Sequence, residues 1–441
     1  MKFYKSNLFK NVLQLLGYDI YKAINNLSII KSYDKDQFRN WQNKQKWDIA
    51  KFHYKNNPSY KKLVGNYFPN NWEDLPIIKK SHFVDKKFNF IPKMYNAKNL
   101  YVAKTSGSSG HALTFFKNKY AHAMDWALIF DRYGWYKLDN KIEARFFGIS
   151  SKANYKIKER FKDSIMKRYR FSLLDLSESG FENFIKIFTI KKFDYLYGYT
   201  NTLLMFAKYL QSKKITLYKI NQSLKYCIVT AELLTEQNRK LLEKSFGLPI
   251  INEYGVSEVG LVGFDNPSGD MIFSDETLAV DSISIDSSDY DNLIITNLNN
   301  RAMPFVKYNI GDLATIIQNP KKNKNRIISN IIGRQNDMIH LPQGKKLPGF
   351  SIVKPFDYFL FENTHKFLKK IKEFIFRQNK DKEIVLDLVI RDELDANEIE
   401  IIRNFVLNEL KNKINVHINI VDKIKKQRSG KLKQFISEIK T

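Results

Sequence analysis

The sequence predicts an α/β protein with a large N-terminal domain of several subdomains and a small α+β C-terminal domain. From about residue 100, short strand-like runs alternate with helical segments, which is typical of a layered α/β domain. The last part of the chain has a strand, strand, helix, strand order of its own. We therefore predict one domain over residues 1–333 and a second over residues 334–441, joined near Gly333–Asp337.

Residues 1–100 are predicted to be helical, and Pro76 ends this region because proline breaks a helix. Near the N-terminus, apolar residues recur at spacings of three and four: Phe9, Val12, Leu13, Leu16 and Ile20. The pattern favours one amphipathic helix packed on a core, and a helix lying on a membrane, with peripheral membrane contact, is the alternative. No apolar run reaches the roughly 18 residues of a spanning helix and no signal peptide is recognised, so the predicted location is cytoplasmic.

Residues 101–270 form the predicted α/β subdomain. Its predicted strands are Leu100–Lys104, Lys141–Ile149, Phe193–Tyr199, Leu224–Thr230 and Pro249–Asn252. Its predicted helices are Thr202–Leu210 and Glu236–Phe246. Residues 271–333 are predicted to be β-rich, with strands at Met271–Phe273, Asp291–Asn297 and Ala314–Gln318. In the C-terminal domain we predict strands Phe374–Gln378, Ile384–Ile390 and Val416–Val421 and a helix Glu393–Asn412.

Composition limits the classes of function. The 441 residues are 43% apolar and 14% aromatic, which excludes wholesale disorder. The 73 Lys and Arg against 46 Asp and Glu give a net charge of +27. That excess suits a nucleic-acid binder, a protein at an anionic membrane, an enzyme of phosphorylated substrates, or a surface evenly covered with lysine. No nucleic-acid motif is present, so no nucleic-acid partner is predicted. The lone Cys227 lies in an apolar run typical of a buried strand, and the seven scattered histidines predict no zinc site.

The strongest motif is a glycine-rich loop that follows the first predicted strand: Thr105, Ser106, Gly107, Ser108, Ser109 and Gly110. Its glycines let the backbone approach a ligand, and its hydroxyls and N–H groups can surround an anion. It is not a Walker loop, because no lysine follows the second glycine. A flexible linker is the alternative. Its position between strand-like segments favours phosphate binding.

Four weaker motifs follow in order. Asn252–Glu258 places Tyr254 and Glu258 four residues apart around a predicted glycine turn. Tyr308–Asp312 ends in a carboxylate suited to two ribose hydroxyls. Gly333–Asp337 lies at the predicted boundary, and Ser429–Lys431 follows a basic run near the C-terminus.

In this order, the motifs resemble those of the adenylate-forming superfamily, which includes acyl-CoA synthetases and adenylation domains. The nearest likeness is to the phenylacetate–CoA ligase-like branch with the adenylating proteins of capsular polysaccharide clusters. Further similar segments are Asp74–Lys80, Leu196–Tyr199 and Thr230–Glu232. The resemblance covers nearly the whole chain and implies an N-terminal domain of the acyl-CoA synthetase type with a mobile C-terminal lid.

The resemblance implies a role for each matched residue. Thr105, Ser106, Ser108 and Ser109 would hold the β- and γ-phosphates of ATP, and Lys431 would bridge the carboxylate substrate and the α-phosphate. Tyr254 would stack on adenine, and Glu258 would help to hold Mg²⁺. The other nucleotide-binding positions implied are Gly107, Gly110, Ala231, Glu232, Gly255, Ser257, Asp312 for the ribose hydroxyls and Arg334 for the ribose–phosphate side.

Three positions depart from the family pattern. His111–Leu113 replaces the usual Pro-Lys after the loop, Lys307 stands where relatives have Arg, and Asn336 replaces the first hinge aspartate. The adenylation half-reaction is therefore predicted to be intact, whereas the acceptor is left open between coenzyme A and an amine such as an amino sugar. The predicted function is an ATP-dependent carboxylate-activating ligase acting in surface polysaccharide biosynthesis. The alternative is a non-catalytic nucleotide or polyanion binder on the same fold.

Overall fold

The computed structural model describes residues 8–439 apart from the following: 86–89, 106–112, 148–152, 174, 285–289, 320–323, 335–337, 343–345, 363–364, 412 and 425–433. The chain divides into two compact units. The first comprises residues 1–231, 242–310 and 314–330, and the second comprises 232–241, 311–313 and 331–441. No helix within the described ranges is both long and apolar enough to cross a membrane.

Helices make up most of the N-terminal region, as predicted. They are α1 (Leu8–Leu15), α2 (Ile20–Ser32), α3 (Lys35–Asn56), α4 (Pro58–Val64) and α5 (Lys80–Val84). Helix α3 begins after Asp34, whose carboxylate accepts hydrogen bonds from the backbone N–H groups of Asp36 and Gln37. Helix α4 begins with Pro58, the position at which proline costs no backbone hydrogen bond.

The predicted single amphipathic helix over residues 9–20 is wrong. The chain turns at Gly17, which has φ +77°, so α1 and α2 are separate helices. Phe9 and Leu13 are buried on α1 and Ile20 on α2, whereas Leu16 lies in the turn and is 57% exposed. The Phe9 ring meets the Trp126 ring at a centroid distance of 4.7 Å, so the apolar side of α1 faces the core of the first unit.

One mixed sheet forms the centre of the first unit. Its strands are β3 (Glu143–Phe146), β4 (Arg168–Arg170), β5 (Tyr195–Tyr199), β6 (Tyr226–Thr230), β7 (Ile250–Val256), β8 (Gly260–Asp265), β9 (Met271–Phe273), β10 (Leu278–Ser284), β11 (Asp291–Asn297), β12 (Tyr308–Ile317) and β13 (Ile327–Arg334). Their order is β10-β11-β12-β13-β9-β8-β7-β6-β5-β3-β4, in which β4, β3, β5, β6 and β7 are parallel neighbours. The sequence prediction omitted β4, β8, β10 and β13 and ended β7 four residues early.

A short hairpin precedes this sheet and helices connect its strands. The hairpin pairs β1 (Tyr101–Lys104) with β2 (Thr114–Lys117) in antiparallel register. The connecting helices are α6 (Lys119–Gly134), α7 (Ala153–Ile165), α8 (Glu178–Ile190), α9 (Thr200–Ser212), α10 (Leu217–Ile220) and α11 (Glu236–Phe246).

Aromatic packing fills the first unit. Helix α6 buries Ala123, Met124, Ala127 and Leu128 in a core that also includes Tyr197 and Ile228 of the sheet. A separate group of phenylalanines packs ring on ring, with Phe146 and Phe171 stacked at 4.5 Å. The other members of this group are Phe181, Phe184, Phe188, Phe193 and Phe206. These contacts anchor β3 and β5, which belong to the parallel part of the sheet.

Strand β4 forms one edge of the main sheet and has only three residues. Arg168 Nε lies 2.9 Å from a carboxylate oxygen of Glu143, and Arg170 Nη2 lies 2.7 Å from one of Asp163. Both charged residues of this edge are therefore held by acids of the same unit.

The second unit has its own sheets and core. Its elements are α12 (Phe350–Glu362), α13 (Ala396–Glu409), β14 (Met338–His340), β15 (Lys346–Pro348), β16 (Ile371–Gln378), β17 (Ile384–Ile390), β18 (Val416–Ile420) and β19 (Phe435–Ser437). Strands β18-β17-β16-β19 form one sheet, and β14 pairs with β15. Helix α13 begins three residues later than predicted, because Asp395 caps it with a hydrogen bond from the Glu398 backbone. Phe356, which is fully buried, lies in this core.

Candidate functional site

The parallel strands of the first unit bring parts of three predicted motif segments together at their carboxyl ends. Tyr199 of β5 pairs with Thr230 of β6, and Thr230 pairs with Glu253 of β7. The segments that follow these strands therefore meet at one edge of the sheet. In open α/β sheets, this edge is where ligands bind.

Ala231 follows β6 in a strained conformation. Its φ is +71°, in the left-handed region that residues with a Cβ rarely adopt. Such backbone costs on the order of 1 kcal/mol or more and is concentrated at functional sites. The strain turns the chain directly after Thr230, which is buried in β6.

Tyr254 and Gly255 lie within β7, so the predicted glycine turn is wrong. The strand continues through both residues because it pairs with β8, and a bulge falls between them. The turn comes later, at residues 257–259, where the Val259 N–H donates to the Val256 carbonyl. Ser257 is exposed in this turn.

Glu258 lies in the same turn and is only 8% exposed. Its Oε1 lies 3.3 Å from the hydroxyl of Tyr308, the first residue of β12. Phe83 and Phe305 pack on the Tyr308 ring at centroid distances of 5.6 and 5.1 Å. The carboxylate is thus held by a buried tyrosine from another motif.

The described end of the glycine-rich loop is closed by two hydrogen bonds. The Thr105 N–H donates to the Leu113 carbonyl, and the Thr105 Oγ1 accepts from the Leu113 N–H, each at 2.9 Å. These bonds extend the β1–β2 hairpin by one residue pair. The remaining predicted residues, Ser106, Gly107, Ser108, Ser109 and Gly110, lie outside the described residues, as does His111.

Lys307, the departure from the family arginine, has a structural contact. Its ammonium donates to the backbone carbonyls of Trp72 and Glu73 at 3.0 and 2.8 Å. Next to it, the Ile78 N–H donates to the Lys307 carbonyl, and the Asn309 N–H donates to the Ile78 carbonyl. Lys307 therefore fixes the segment that includes Asp74–Lys80 against β12. Burial lowers the pKa of its ammonium below the ordinary value.

The other predicted residues lie in the second compact unit. Asp312 is 6% exposed in β12. Glu232 follows Ala231 and precedes α11, and Arg334 ends β13 directly after Gly333, which has φ +133°. Lys431, Asn336 and Asp337 lie outside the described residues.

Glu258 could hold a magnesium ion of the kind that accompanies a bound nucleotide. Mg²⁺ usually takes one or two protein carboxylates and completes its coordination with phosphate oxygens and water. Glu258 offers one buried carboxylate, and the described residues contain no group of three or more His, Cys, Asp or Glu that could hold a metal. A single-carboxylate site fits Mg²⁺ bound with a nucleotide.

Sequence reasoning missed a set of side chains beside this edge. Glu253 accepts a hydrogen bond from the Tyr197 hydroxyl at 2.6 Å, and Arg145 lies over the Tyr197 ring at 4.6 Å. The available signal was the presence of Glu143, Arg145 and Glu253 inside apolar strand segments. Charged residues are rare in such positions unless they are paired.

Comparisons with known proteins agree with this architecture. Residues 358–438 match the family model of the CapK C-terminal domain. The chain is 26% identical to Protein CapK of Staphylococcus aureus over 433 residues, which cover 95% of this chain and 91% of that protein.

Solved structures give the same result for the fold. A 2-hydroxyisobutyryl-CoA ligase, in complex with R3-HIB-AMP, superposes with a TM-score of 0.71 over 93% of this chain and 91% of that chain, at 13% identity. ATP-bound MatB from Rhodopseudomonas palustris superposes with a TM-score of 0.52 over 77% of this chain and 67% of that chain, at 12% identity. An anthranilate CoA ligase, AuaEII, in complex with anthranoyl-AMP, gives the same values.

These likenesses confirm the predicted α/β fold class with its C-terminal domain, and they agree with the resemblance inferred from the motifs. The chain has the fold of these ligases, and its residues 358–438 are similar to the CapK C-terminal domain.

Proposed function

We propose that the protein is an ATP-dependent carboxylate-activating ligase. In the first half-reaction, a carboxylate oxygen of the acid attacks the α-phosphorus of ATP, the bond to the β-phosphate oxygen breaks, and pyrophosphate leaves. The product is an acyl-adenylate. In the second half-reaction, a thiol or amine attacks the acyl carbon, AMP leaves, and the acceptor loses a proton.

The observation that carries this proposal is the meeting of Ala231, Tyr254 and Glu258 at one edge of the parallel strands. It combines a strained turn, an aromatic ring and a buried carboxylate. The fold is that of ligases captured with acyl-adenylates, which supports the same chemistry here.

The nucleotide roles follow from the motifs. The serine-rich loop would surround the β- and γ-phosphates, because hydroxyl and N–H groups bind anions. Tyr254 would stack on adenine, and Asp312 would accept hydrogen bonds from the ribose hydroxyls. The other proposed nucleotide contacts are Thr105, Ser106, Gly107, Ser108, Ser109, Gly110, Ala231, Glu232, Gly255, Ser257 and Arg334.

Lys431 is the proposed catalytic cation. A carboxylate that approaches a triphosphate meets charge of the same sign, and a positioned ammonium offsets this repulsion as the new bond forms. Glu258 would hold the Mg²⁺ that enters with ATP, and the ion when bound neutralises phosphate charge. The C-terminal unit would then move about the Gly333–Asp337 region for acyl transfer.

The acceptor and the biological role are part of the proposal. Coenzyme A is supported by the structural relatives named as CoA ligases, and an amine such as an amino sugar would suit surface polysaccharide biosynthesis. Both substrates of the first half-reaction, ATP and a small acid, suit a cytoplasmic enzyme. Peripheral membrane contact through the end of α1 and the turn after it stays an alternative, since Leu15 and Leu16 are exposed there.

Isotope exchange between pyrophosphate and ATP tests the first half-reaction. Acids from aliphatic, aromatic, amino and sugar classes are supplied one at a time. We expect at least one acid to support exchange, and Lys431→Ala to lower its rate by roughly 10²-fold or more, the scale of losing a charged group that stabilises a transition state. Product analysis with coenzyme A or amino sugars then identifies the acceptor.

The matched control is Lys433→Ala, two residues away in the same basic segment. It should keep near wild-type exchange, and circular dichroism should be equal for both variants. Full residual exchange in Lys431→Ala overturns the role of that lysine. If no acid supports pyrophosphate exchange, the result favours the alternative, a non-catalytic nucleotide or polyanion binder.

A further inference from the structure

A network of ionisable and aromatic side chains lies on the side of the sheet that faces α6. At its inner end, Glu143 is 1% exposed and accepts hydrogen bonds from Arg145, Arg168 and Tyr195 at 2.6, 2.9 and 3.0 Å. Burial raises the pKa of Glu143, but the Arg168 and Arg145 guanidinium groups outweigh it and hold the pKa below the ordinary value. Glu143 is therefore an ionised anchor, and its burial keeps it away from any ligand.

Glu253 occupies the outer end of the same network. Its Oε1 accepts from the Tyr197 hydroxyl at 2.6 Å and its Oε2 from the Tyr133 hydroxyl at 3.4 Å, and Thr230 also donates to it. Burial raises the pKa of this carboxyl. A carboxylate offers about four acceptor positions. The protein donors thus leave room for one more hydrogen bond.

The side chains around Glu253 are only partly buried. Glu253, Phe147 and Tyr133, the last of which belongs to α6, are neither fully buried nor fully exposed, and the Arg145 side chain is 15% exposed. Phe147 and Tyr197 stack on each other at 5.3 Å, and each ring centroid lies 4.6 Å from the Arg145 guanidinium. The Glu253 carboxyl is therefore surrounded by aromatic rings and a guanidinium, and this group keeps part of its surface accessible.

The position of Glu253 relates its partly accessible carboxyl to the proposed chemistry. Successive residues of a strand point to opposite faces, so Glu253 and Tyr254 direct their side chains to opposite sides of β7. If adenine stacks on Tyr254, the opposite side of β7, where Glu253 lies, is left for the acid. The acyl chain of the acid would then lie beside the Glu253 carboxyl.

We propose that Glu253 accepts a hydrogen bond from a hydroxyl or amino group on the acyl chain of the acid, and that the protein prefers such acids over their unsubstituted analogues. This inference rests on the proposed ligase function. Tyr197 and Tyr133 are positioning residues, because their hydroxyls hold the carboxyl in place. An unsubstituted acid would leave a buried acceptor unpaired, which costs more than the loss of an ordinary hydrogen bond.

A role limited to fold stability is the competing explanation. The Tyr133 hydroxyl is 3.4 Å away, which is long for a hydrogen bond, so Glu253 ties α6 only weakly to the sheet. If the role is structural only, an apolar replacement leaves the Tyr197 and Thr230 hydroxyls without this acceptor and lowers stability, and the preference among acids does not change. The two explanations differ in substrate preference, which is therefore the quantity to measure.

The test compares acid-dependent pyrophosphate release for pairs of acids that differ only in a hydroxyl or amino group. Aliphatic acids of three to eight carbons and benzoates serve as probes. We expect the best acid of the wild type to be substituted and to exceed its unsubstituted analogue in kcat/KM by about tenfold or more. In Glu253→Leu the ratio should fall to near one, chiefly through a higher KM for the substituted acid.

Two further variants separate the possible outcomes. Glu253→Gln keeps an acceptor, so it should retain a preference for hydroxylated acids and lose one for charged amino acids. Tyr209→Phe removes a hydroxyl that contacts Glu182 elsewhere, and should keep the wild-type ratio.

The contrary results are distinct. If the unsubstituted acid of each pair has a kcat/KM equal to or above that of its substituted partner in the wild type, this inference is overturned and the ligase function stays intact. The same holds if the ratio of the two kcat/KM values is unchanged in both Glu253 variants. Absence of pyrophosphate release with every acid contradicts the ligase function itself. The wild-type comparison decides the matter even if Glu253→Leu does not fold.

Discussion

At the scale of single residues, His53 is the clearest example of a buried group that affects stability. It is fully buried on α3, and its Nε2 lies 2.9 Å from the Asn300 carbonyl. Burial is the largest effect on this ring and lowers its pKa to about 4, although the Asn300 carbonyl acts in the opposite direction. In the unfolded chain the same group has a pKa of about 6.5.

This difference predicts how stability depends on pH. Between about pH 6.5 and 4, the unfolded chain binds a proton at His53 and the folded chain does not, so the free energy of unfolding falls as pH falls. We expect the titration of His53 to lower the free energy of unfolding by roughly 2 kcal/mol at about pH 5 relative to neutral pH. Urea unfolding followed by tryptophan fluorescence measures it, and His53→Gln should flatten the slope.

A second histidine contributes to the pH dependence of the free energy of unfolding that remains in the His53→Gln variant. His122 is stacked on Tyr101 at 3.8 Å, and burial lowers its pKa to about 3. It continues to titrate in the His53→Gln variant, so the pH dependence is reduced but not abolished. A slope that is identical in the wild type and the variant would contradict the prediction for His53.

For some residues of the site the position could be predicted from the sequence, and for others it could not. Tyr254 and Glu258 belong to a local motif, so their neighbourhood could be predicted. Glu253 and Lys307 could not, because their partners come from distant parts of the chain: Lys307 contacts the carbonyl of Trp72 and Glu253 contacts Tyr197. Only the folded sheet brings these groups together.

At the scale of elements, the start of α3 offers a direct measurement. The Asp34 carboxylate accepts from the Gln37 backbone, and the Gln37 side chain accepts from the Asp34 N–H. Asp34→Ala removes this cap and should lower the free energy of unfolding by about 1 kcal/mol. Trp41 and Trp47 lie on α3, so fluorescence during urea unfolding reports the change.

Asp48→Ala is the matched control for this prediction. Asp48 is exposed in the middle of the same helix, and alanine has a higher helix propensity than aspartate. The control should be as stable as the wild type or slightly more stable. Equal destabilisation by both substitutions would show that the cap is not what stabilises α3.

Elements with a strong local pattern were predictable, and those that depend on partners were not. The predicted helix Glu236–Phe246 matches α11, and the strand Asp291–Asn297 matches β11. Strand β10 contains Asp281, Ser282 and Ser284, residue types that favour turns, and it was missed. Its seven-residue antiparallel register with β11 supplies the hydrogen bonds that override this preference.

At the scale of the whole molecule, each compact unit has its own core. The core of the second unit contains Phe356, whose ring contacts Phe374 and Phe376 at 4.9 and 5.2 Å. All five tryptophans lie between residues 41 and 135, in the first unit. Tryptophan fluorescence therefore reports unfolding of the first unit, whereas far-ultraviolet circular dichroism reports both.

We expect Phe356→Ala to destabilise the second unit by about 3–5 kcal/mol, because it leaves a cavity in a buried core. The dichroism transition should move to lower urea, and the fluorescence midpoint should move less. Ile420→Ala is the control, since Ile420 is 46% exposed on β18 of the same unit. Equal movement of both signals would contradict the assignment of Phe356 to a separate core.

The edge strand β4 has a consequence for self-association. An unpaired edge offers its N–H and C=O groups to a second chain, and sheet proteins limit this with short strands and charge. Strand β4 has three residues, and Glu143 and Asp163 hold its arginines in place. Because both ion pairs are partly buried, salt screens them less than the exposed charges of the +27 surface, so we expect the arginines of this edge to stay in place at high salt.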